Sequence, residues 1–260
     1  MPRLHLFEFE DQPWFPTLLR DYMTDYLQHV ANQFNLYEPI IPVLEKGLTQ
    51  SKGNQIVDLA SGGGGAWLSI LPQLNKSRSD VQVKLTDYYP NVKAFQETVK
   101  RGGADTFSYS EQPIDARAVP PDLMGFRTQF LSFHHFRPHD AQRILQNAVD
   151  ERQVIGIFEA QERSIGSFIQ FFFSPIFVLL LTPFIKPFSL GRLVFTYLIP
   201  ILPILIWFDG LVSVLRTYKP EEMKAMTQQL KGGESYNWEI GVKANGPSRL
   251  PYLLGYPKES

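Results

Sequence analysis

Four glycines in a row, Gly62 to Gly65, follow the apolar run Ile56-Val57-Asp58-Leu59 and the small pair Ala60-Ser61, and a second acid, Asp87, ends the next apolar stretch 29 residues after Asp58. Glycines at a strand-to-helix turn let the backbone approach a ligand, and a helix starting near Ala66 adds the partial positive charge of its N-terminus. A carboxylate at the end of the neighbouring strand is placed to accept hydrogen bonds from the paired hydroxyls of a ribose. The combination reads as a cradle for a ribose-bearing cofactor, with Asp58, Ala60, Ser61, Gly62 and Gly64 in the loop and Asp87 and Tyr88 at the sugar.

What the loop lacks narrows the cofactor. A dinucleotide fingerprint requires G-x-G-x-x-G or a terminal alanine, because the third small residue lets the helix pack against the strand. Trp67 occupies that place after Gly62-x-Gly64, and Leu68 does after Gly63-x-Gly65. A triphosphate cradle would need G-x-x-x-x-G-K-[ST], which the chain does not contain. Asp58 would repel a pyrophosphate but suits an ammonium group. S-adenosylmethionine, with a ribose and an amino-acid ammonium, meets these conditions.

The segment Ile56 to Gly64 resembles the first motif of the class I S-adenosylmethionine-dependent methyltransferases, hydrophobic-hydrophobic-Asp-x-x-x-Gly-x-Gly, with Ala60 where that family commonly has glycine. Asp87 stands like the family's ribose-binding acid. Ile114-Asp115-Ala116 is similar to the segment that contacts the adenine amino group, which implies cofactor contacts at Asp115 and Ala116. Ser132-Phe133-His134-His135-Phe136, after the apolar stretch Thr128 to Leu131, matches the fourth motif, which lines the methyl-transfer site. The resemblance covers roughly residues 55 to 160 and returns near 236 to 257. It implies an α/β fold, a Rossmann-like seven-stranded sheet with an antiparallel last strand.

Methyl transfer is an in-line displacement at an activated carbon, so the protein must align the acceptor and exclude water. A hydroxyl acceptor also benefits from a base, and His135 is the expected one. His134 is expected nearer the cofactor, and Glu159 is an acid able to orient either histidine. An amine acceptor would need only positioning, so oxygen and nitrogen both stay open. No metal is expected, since Pro138 interrupts His135-x-x-x-His139 and no zincin glutamate accompanies it.

The elements that must position these residues follow from periodicity. Apolar stretches near 55–60, 81–86, 106–109, 127–132 and 153–158 alternate with helical ones, Lys93 to Lys100 and His139 to Glu151 among them, which is the pattern of a parallel sheet. Tyr236 to Lys243 and Arg249 to Gly255 form the closing hairpin. Trp14 to Gln33 and Tyr37 to Leu48 are predicted helices of an N-terminal cap, whose Trp14, Tyr22, Tyr26 and Tyr37 are candidates for an acceptor pocket. Arg3 to Glu10 alternates and lacks a cleavage pattern, so it is expected to be a strand or arm rather than a signal peptide. A single domain accommodates all 260 residues, divided into a cap (1–50), a cofactor core (51–163), an insertion (164–208) and a C-terminal helix with the closing strands (209–260). A net charge of −1 leaves no electrostatic footprint for nucleic acid. With no cysteine, disulfides and thiolate metal sites are excluded.

The insertion departs from an ordinary methyltransferase. From Ser164 to Phe208 only Lys186 and Arg192 are charged, and Ser164 to Ile185 is uncharged for 22 residues. That length could span a bilayer, but prolines at 175, 183, 187, 200 and 203 break it. A monotopic insertion is expected, with Lys186 and Arg192 among lipid phosphates; a buried helical pair is the alternative. Following the fifth strand, the insertion should roof the site at the carboxyl ends of the strands. The expected protein is thus a methyltransferase of a small lipophilic acceptor, associated with a membrane on its cytoplasmic side or else cytoplasmic, with its oligomeric state open. The alternatives are a sister of the aminopropyl transferases, disfavoured by the apolar lid, and a membrane-associated cofactor-binding or scaffold protein without turnover.

Overall fold

The computed structural model describes residues 1–78 and 80–259. Central strands buried on both sides are the hallmark of a sheet covered by helices on each face, and five strands run parallel here, β4 and β5 buried throughout and β2 and β3 toward the partly exposed edge: β1 (Gln55–Asp58), β2 (Gln82–Leu85), β3 (Phe107–Tyr109), β4 (Phe126–Phe130) and β5 (Ile155–Phe158). A long hairpin, β6 (Tyr236–Asn245) and β7 (Ser248–Pro257), closes the sheet. The order is β3-β2-β1-β4-β5-β7-β6, with β7 antiparallel to both neighbours. The seven strands and the antiparallel last one match the expectation.

Alternate residues of each strand feed opposite faces. Ile56, Val83, Phe126 and Phe158 pack under α2 (Ile41–Ser51), α3 (Trp67–Leu74) and α4 (Val92–Gly102). Val57, Ile155, Ile157 and Leu253 pack under α5 (Pro138–Asp150) and α10 (Pro220–Thr227). A third cluster joins α1 (Thr17–Gln33), through Tyr22, Met23 and Tyr26, to Val178, Leu202, Leu205 and Ile206 of the insertion.

The insertion is a set of short helices, α6 (Ile165–Phe172), α7 (Ser174–Leu181), α8 (Leu190–Leu193) and α9 (Ile201–Arg216). The boundary drawn at 208 therefore falls within α9. Within that helix Asp209 is buried and accepts hydrogen bonds from the amides of Phe9 and Glu10. No single helix among the described residues is long and apolar enough to cross a membrane, and the apolar pairs are bent by 42° and 82° at their breaks.

Beyond that apolar cluster, the insertion also buries polar side chains and exposes many apolar ones. Ser167, Ser174, Thr182, Arg192 and Thr196 point inward, while Ile169, Phe172, Phe173, Ile176, Leu180, Phe184, Leu190 and Leu198 are exposed. Arg192 corrects the sequence expectation. Its side chain is 2% exposed, paired with Asp25 on α1 at 2.5 Å and bonded to the carbonyls of Ile185 and Pro187. Only Lys186 of the two bases is exposed. The physical reason is that Asp25, 167 residues earlier, offers a buried countercharge that no local pattern reveals.

The N-terminal segment is an arm and not a strand. It runs beside the end of α9, where the Leu4 amide donates to the Leu215 carbonyl, and it brings Glu8 into the interior.

Candidate functional site

Between β1 and α3 the chain makes a tight turn in which Ala60 and Gly62 both take positive φ, 52° and 54°. Such a backbone is cheap for glycine and costly for alanine, so Ala60 is a point of local strain. Asp87 secures the turn: one carboxylate oxygen accepts from the Gly62 amide at 2.7 Å, and the other accepts from the Tyr89 amide at 2.8 Å. Burial raises its pKa, and these amides oppose the rise.

Two of the glycines serve packing, a role the sequence reading did not assign them. A Cβ on Gly63 would lie 2.5 Å from the Thr24 carbonyl oxygen of α1, and one on Gly64 would lie 2.7 Å from Thr98 Oγ1 of α4. Asn32 of α1 also donates to the Gly65 carbonyl and accepts from the Ser69 amide. The cap is thus built into the loop that it covers.

A cleft of about 550 Å³ opens over this turn, within the range of small-molecule sites. Of the expected cofactor contacts, Ala60, Ser61, Gly62, Asp87, Tyr88, Asp115 and Ala116 line it, and so does His135. Asp58, Gly64 and His134 do not. Asp58 lies beneath the loop, where Oδ1 accepts from Thr128 Oγ1 at 2.7 Å and Oδ2 has no hydrogen-bond partner; burial pushes its pKa up to about 6, against the pull of Thr128. Gly64 turns toward α1 and α4. Asp115 is in the lining, but its carboxylate is already gripped by Arg117 at 2.8 and 2.9 Å. The loop, the acid after β2 and the 114–116 segment all suit a ribose-bearing cofactor.

The two histidines, adjacent in sequence, have opposite surroundings. His135 Nδ1 lies 2.7 Å from Asp11 Oδ1 and 2.8 Å from Glu8 Oε2, and Arg216 braces the same carboxylates at 2.6 and 2.9 Å. Burial works against its charge, but Glu8 and Asp11 outweigh burial and push its pKa well above the usual imidazole range. An imidazole that holds its proton is a poor base at neutral pH, which corrects the role expected for it. His134 is 1% exposed, and its Nδ1 lies 2.9 Å from Glu159 Oε2 while its Nε2 has no partner. Glu159 therefore orients His134 and sets its tautomer with Nδ1 protonated. Sequence reasoning missed Glu8, Asp11 and Arg216. The acidic run Glu8-x-Glu10-Asp11 was visible, but its target is 124 residues away.

His134 faces a second, apolar chamber of about 320 Å³ between α1 and the insertion, walled by Met23, Tyr26, Val30, Phe171, Phe177 and Ile206 among others. Glu10, Leu27, Tyr37, Leu131 and His135 line both spaces, so these side chains stand between the chamber and the cleft. Tyr26 and Tyr37 reach the chamber as expected. Trp14 is 67% exposed, and Tyr22 instead bonds to Ser189.

Glu8, His134 and His135 hold ligand-type atoms within 4.8 Å of one another. Their charges are balanced without a cation, since Arg216 and the His135 proton already face Glu8, and an added ion would sit against the guanidinium.

The strand order, the antiparallel seventh strand and a cleft over the turn after β1 define the class I S-adenosylmethionine-dependent methyltransferase fold. The solved structures agree. The plantazolicin methyltransferase BpumL, in complex with SAH, aligns over 93% of this chain and 96% of its own, at 12% identity and a TM-score of 0.56. Magnesium protoporphyrin IX methyltransferase (ChlM) from Synechocystis PCC 6803, with bound SAH, aligns over 93% and 99%, at 11% identity and a TM-score of 0.52. The O-methyltransferase NcsB1 from neocarzinostatin biosynthesis, in complex with S-adenosylmethionine and 2-hydroxy-5-methyl naphthoic acid, aligns over 93% of this chain and 58% of its own, at 13% identity and a TM-score of 0.53. No protein-family model matches the chain, and no curated protein matches it by sequence.

Proposed function

We propose that the chain is an S-adenosylmethionine-dependent methyltransferase that O-methylates a small lipophilic acceptor at the cytoplasmic surface of a membrane. The observation that carries the reading is the cleft over the β1 turn, which shares lining residues with an apolar chamber bordered by His134. Asp87, the Ala60–Gly62 turn and the 114–116 segment would hold the cofactor, which supplies a methyl group activated on a sulfonium. His134 Nε2 would take the proton of an acceptor hydroxyl, with Glu159 stabilising the resulting imidazolium. Leu27, Ala31 and Leu131 give the wall common to cleft and chamber an apolar surface that would limit water at the reacting atoms. A free base beside an apolar chamber favours oxygen over nitrogen as the methylated atom. BpumL, ChlM and NcsB1, which share the fold, are named as methyltransferases.

The exposed apolar side chains of the insertion support the membrane reading. Exposed apolar side chains on this scale are costly in water and mark a contact surface. Phe34 and Phe177, each about half exposed, also line the chamber, so it opens toward the apolar face and an acceptor could enter from lipid.

Titration calorimetry with S-adenosylmethionine and with NAD tests the cofactor. Micromolar binding of the first alone, weakened at least about tenfold in Asp87→Ala, is expected; absence of binding leaves the scaffold reading. Flotation with phosphatidylcholine vesicles tests the surface, and an Ile176→Asp variant that floats as well as the parent would sink the membrane reading.

A further inference from the structure

The residues at the edge of the insertion's apolar face say what charge its partner carries. A recess of about 440 Å³ lies between α1, α4 and the 187–189 segment, and Leu18, Lys93, Gln96, Lys100 and Phe188 are among its lining residues. Leu18 and Phe188 are 49% and 59% exposed, so the recess borders the apolar surface. Lys93 and Lys100 stand two turns apart on α4, and both are exposed. Lys186 is exposed as well, between the exposed rings of Phe184 and Phe188. Three acids share the recess, Asp21, Asp25 and Glu97. Asp25 is already held by Arg192 and Asn91. Asp21 lies within electrostatic reach of both Arg20 and Lys93, and Glu97 is one turn from each lysine of α4. Both of these acids are half-buried, and none of the three lysines is ion-paired among the described residues. The ammonium groups are thus the outermost charges of the recess. Arg192 is withdrawn into the interior, and α4 supplies bases at the apolar edge in its place.

We propose that this recess is a headgroup site for an anionic phospholipid, with Lys93 and Lys100 on the phosphate, Lys186 against neighbouring headgroups, and the acyl chains along Leu18, Phe188 and the exposed side chains of the insertion. The inference rests on the membrane reading above and gives that membrane a charge. A lysine stem can lie along apolar surface while its ammonium reaches the phosphate, which suits bases placed beside Phe184 and Phe188. A free phosphate would engage the lysines and leave Leu18 and Phe188 in water, whereas a bilayer covers both, so the lipid is the occupant that fits the whole recess. Each lysine close to an anionic surface strengthens binding about fivefold, an effect that salt screens.

The test is flotation of the full chain over a lipid titration, with vesicles of phosphatidylcholine alone and of phosphatidylcholine carrying about 30% phosphatidylglycerol. The parent is expected to bind the anionic vesicles about tenfold or more tightly than the neutral ones, with the difference shrinking as salt is raised. The double variant Lys93→Gln/Lys100→Gln is expected to weaken binding to the anionic vesicles about tenfold or more, while its binding to phosphatidylcholine and its melting temperature stay close to those of the parent. Lys224→Gln/Lys231→Gln removes the same charge from exposed lysines of α10 and the turn after it, on the opposite face of the sheet, and is expected to leave binding to both vesicles unchanged. Equal binding of the parent to the two vesicles, or an equal loss in the two double variants, would overturn the proposal. So would saturable binding of glycerol phosphate in calorimetry without any preference for anionic vesicles, which would assign the recess to a free phosphate. Flotation of the parent with neither vesicle would instead remove the membrane reading on which the proposal rests.

Discussion

Replacing Arg192 by leucine separates the two accounts of the insertion. In the structure its guanidinium is 2% exposed, pairs with Asp25 at 2.5 Å, and satisfies two carbonyls, Ile185 at 2.9 Å and Pro187 at 2.6 Å. Removing one partner of a buried ion pair costs about 3–5 kcal/mol. Asp25 limits that cost. Burial outweighs Arg192 and already lifts its pKa to about 7, so the carboxyl can take a proton when its partner is lost, and the lower end applies. About 3 kcal/mol, at roughly 2–4 °C per kcal/mol for a chain of this size, lowers the melting temperature by about 6–12 °C. Scanning calorimetry reads the shift, and the double variant Asp25→Asn/Arg192→Leu should recover a substantial part of it. An arginine among lipid phosphates would behave differently, weakening vesicle binding while leaving the melt unmoved. A melting point within about 2 °C of the parent, or a double variant no better than the single, would refute the buried latch.

The remaining predictions concern pH and the base. Burial holds Asp58 at about 6, Asp25 and Asp209 at about 7 and Glu10 at about 8. A carboxyl raised on folding stabilises below its ordinary pKa and loses that contribution as pH climbs through the folded value, and the raised His135 acts in the same sense. Burial and then Arg216 depress His5 to about 4, which opposes the trend below its ordinary value of 6.5. The melting temperature should therefore rise as pH is lowered from 8 to 5, and a flat or falling profile would contradict the burial of these acids. Glu159→Gln removes the charge that stabilises protonated His134, and should lower kcat by about 10²- to 10⁴-fold with cofactor affinity unchanged in calorimetry. An equal loss in cofactor affinity would place Glu159 in folding rather than in proton transfer.

Local signals made much of the fold legible. The central strands are legible as short apolar stretches, because both their faces are covered, and the helices as a period of 3.6, because one side of each is buried. The positions of Ala60, Gly62, Asp87 and Ala116 in the cleft followed from a loop and strand ends that short-range order places at one edge of the sheet. The glycine run is only partly a ligand cradle, since Gly63 and Gly64 answer to Thr24 and Thr98, partners that only the packed helices supply.

By itself, the sequence determined that an α/β sheet carries a glycine-rich turn after its first strand and that a nearly uncharged insertion follows its fifth strand, because composition and spacing are properties of the chain. The tertiary structure decided what each charge does. His134 and His135 differ in role because Glu159 reaches one ring while Glu8 and Asp11 reach the other. Arg192 became a buried latch because α1 brings Asp25 to it. Protonation and pairing depend on which groups meet within a few ångströms, and contacts between residues more than a hundred positions apart exist only once the chain has folded.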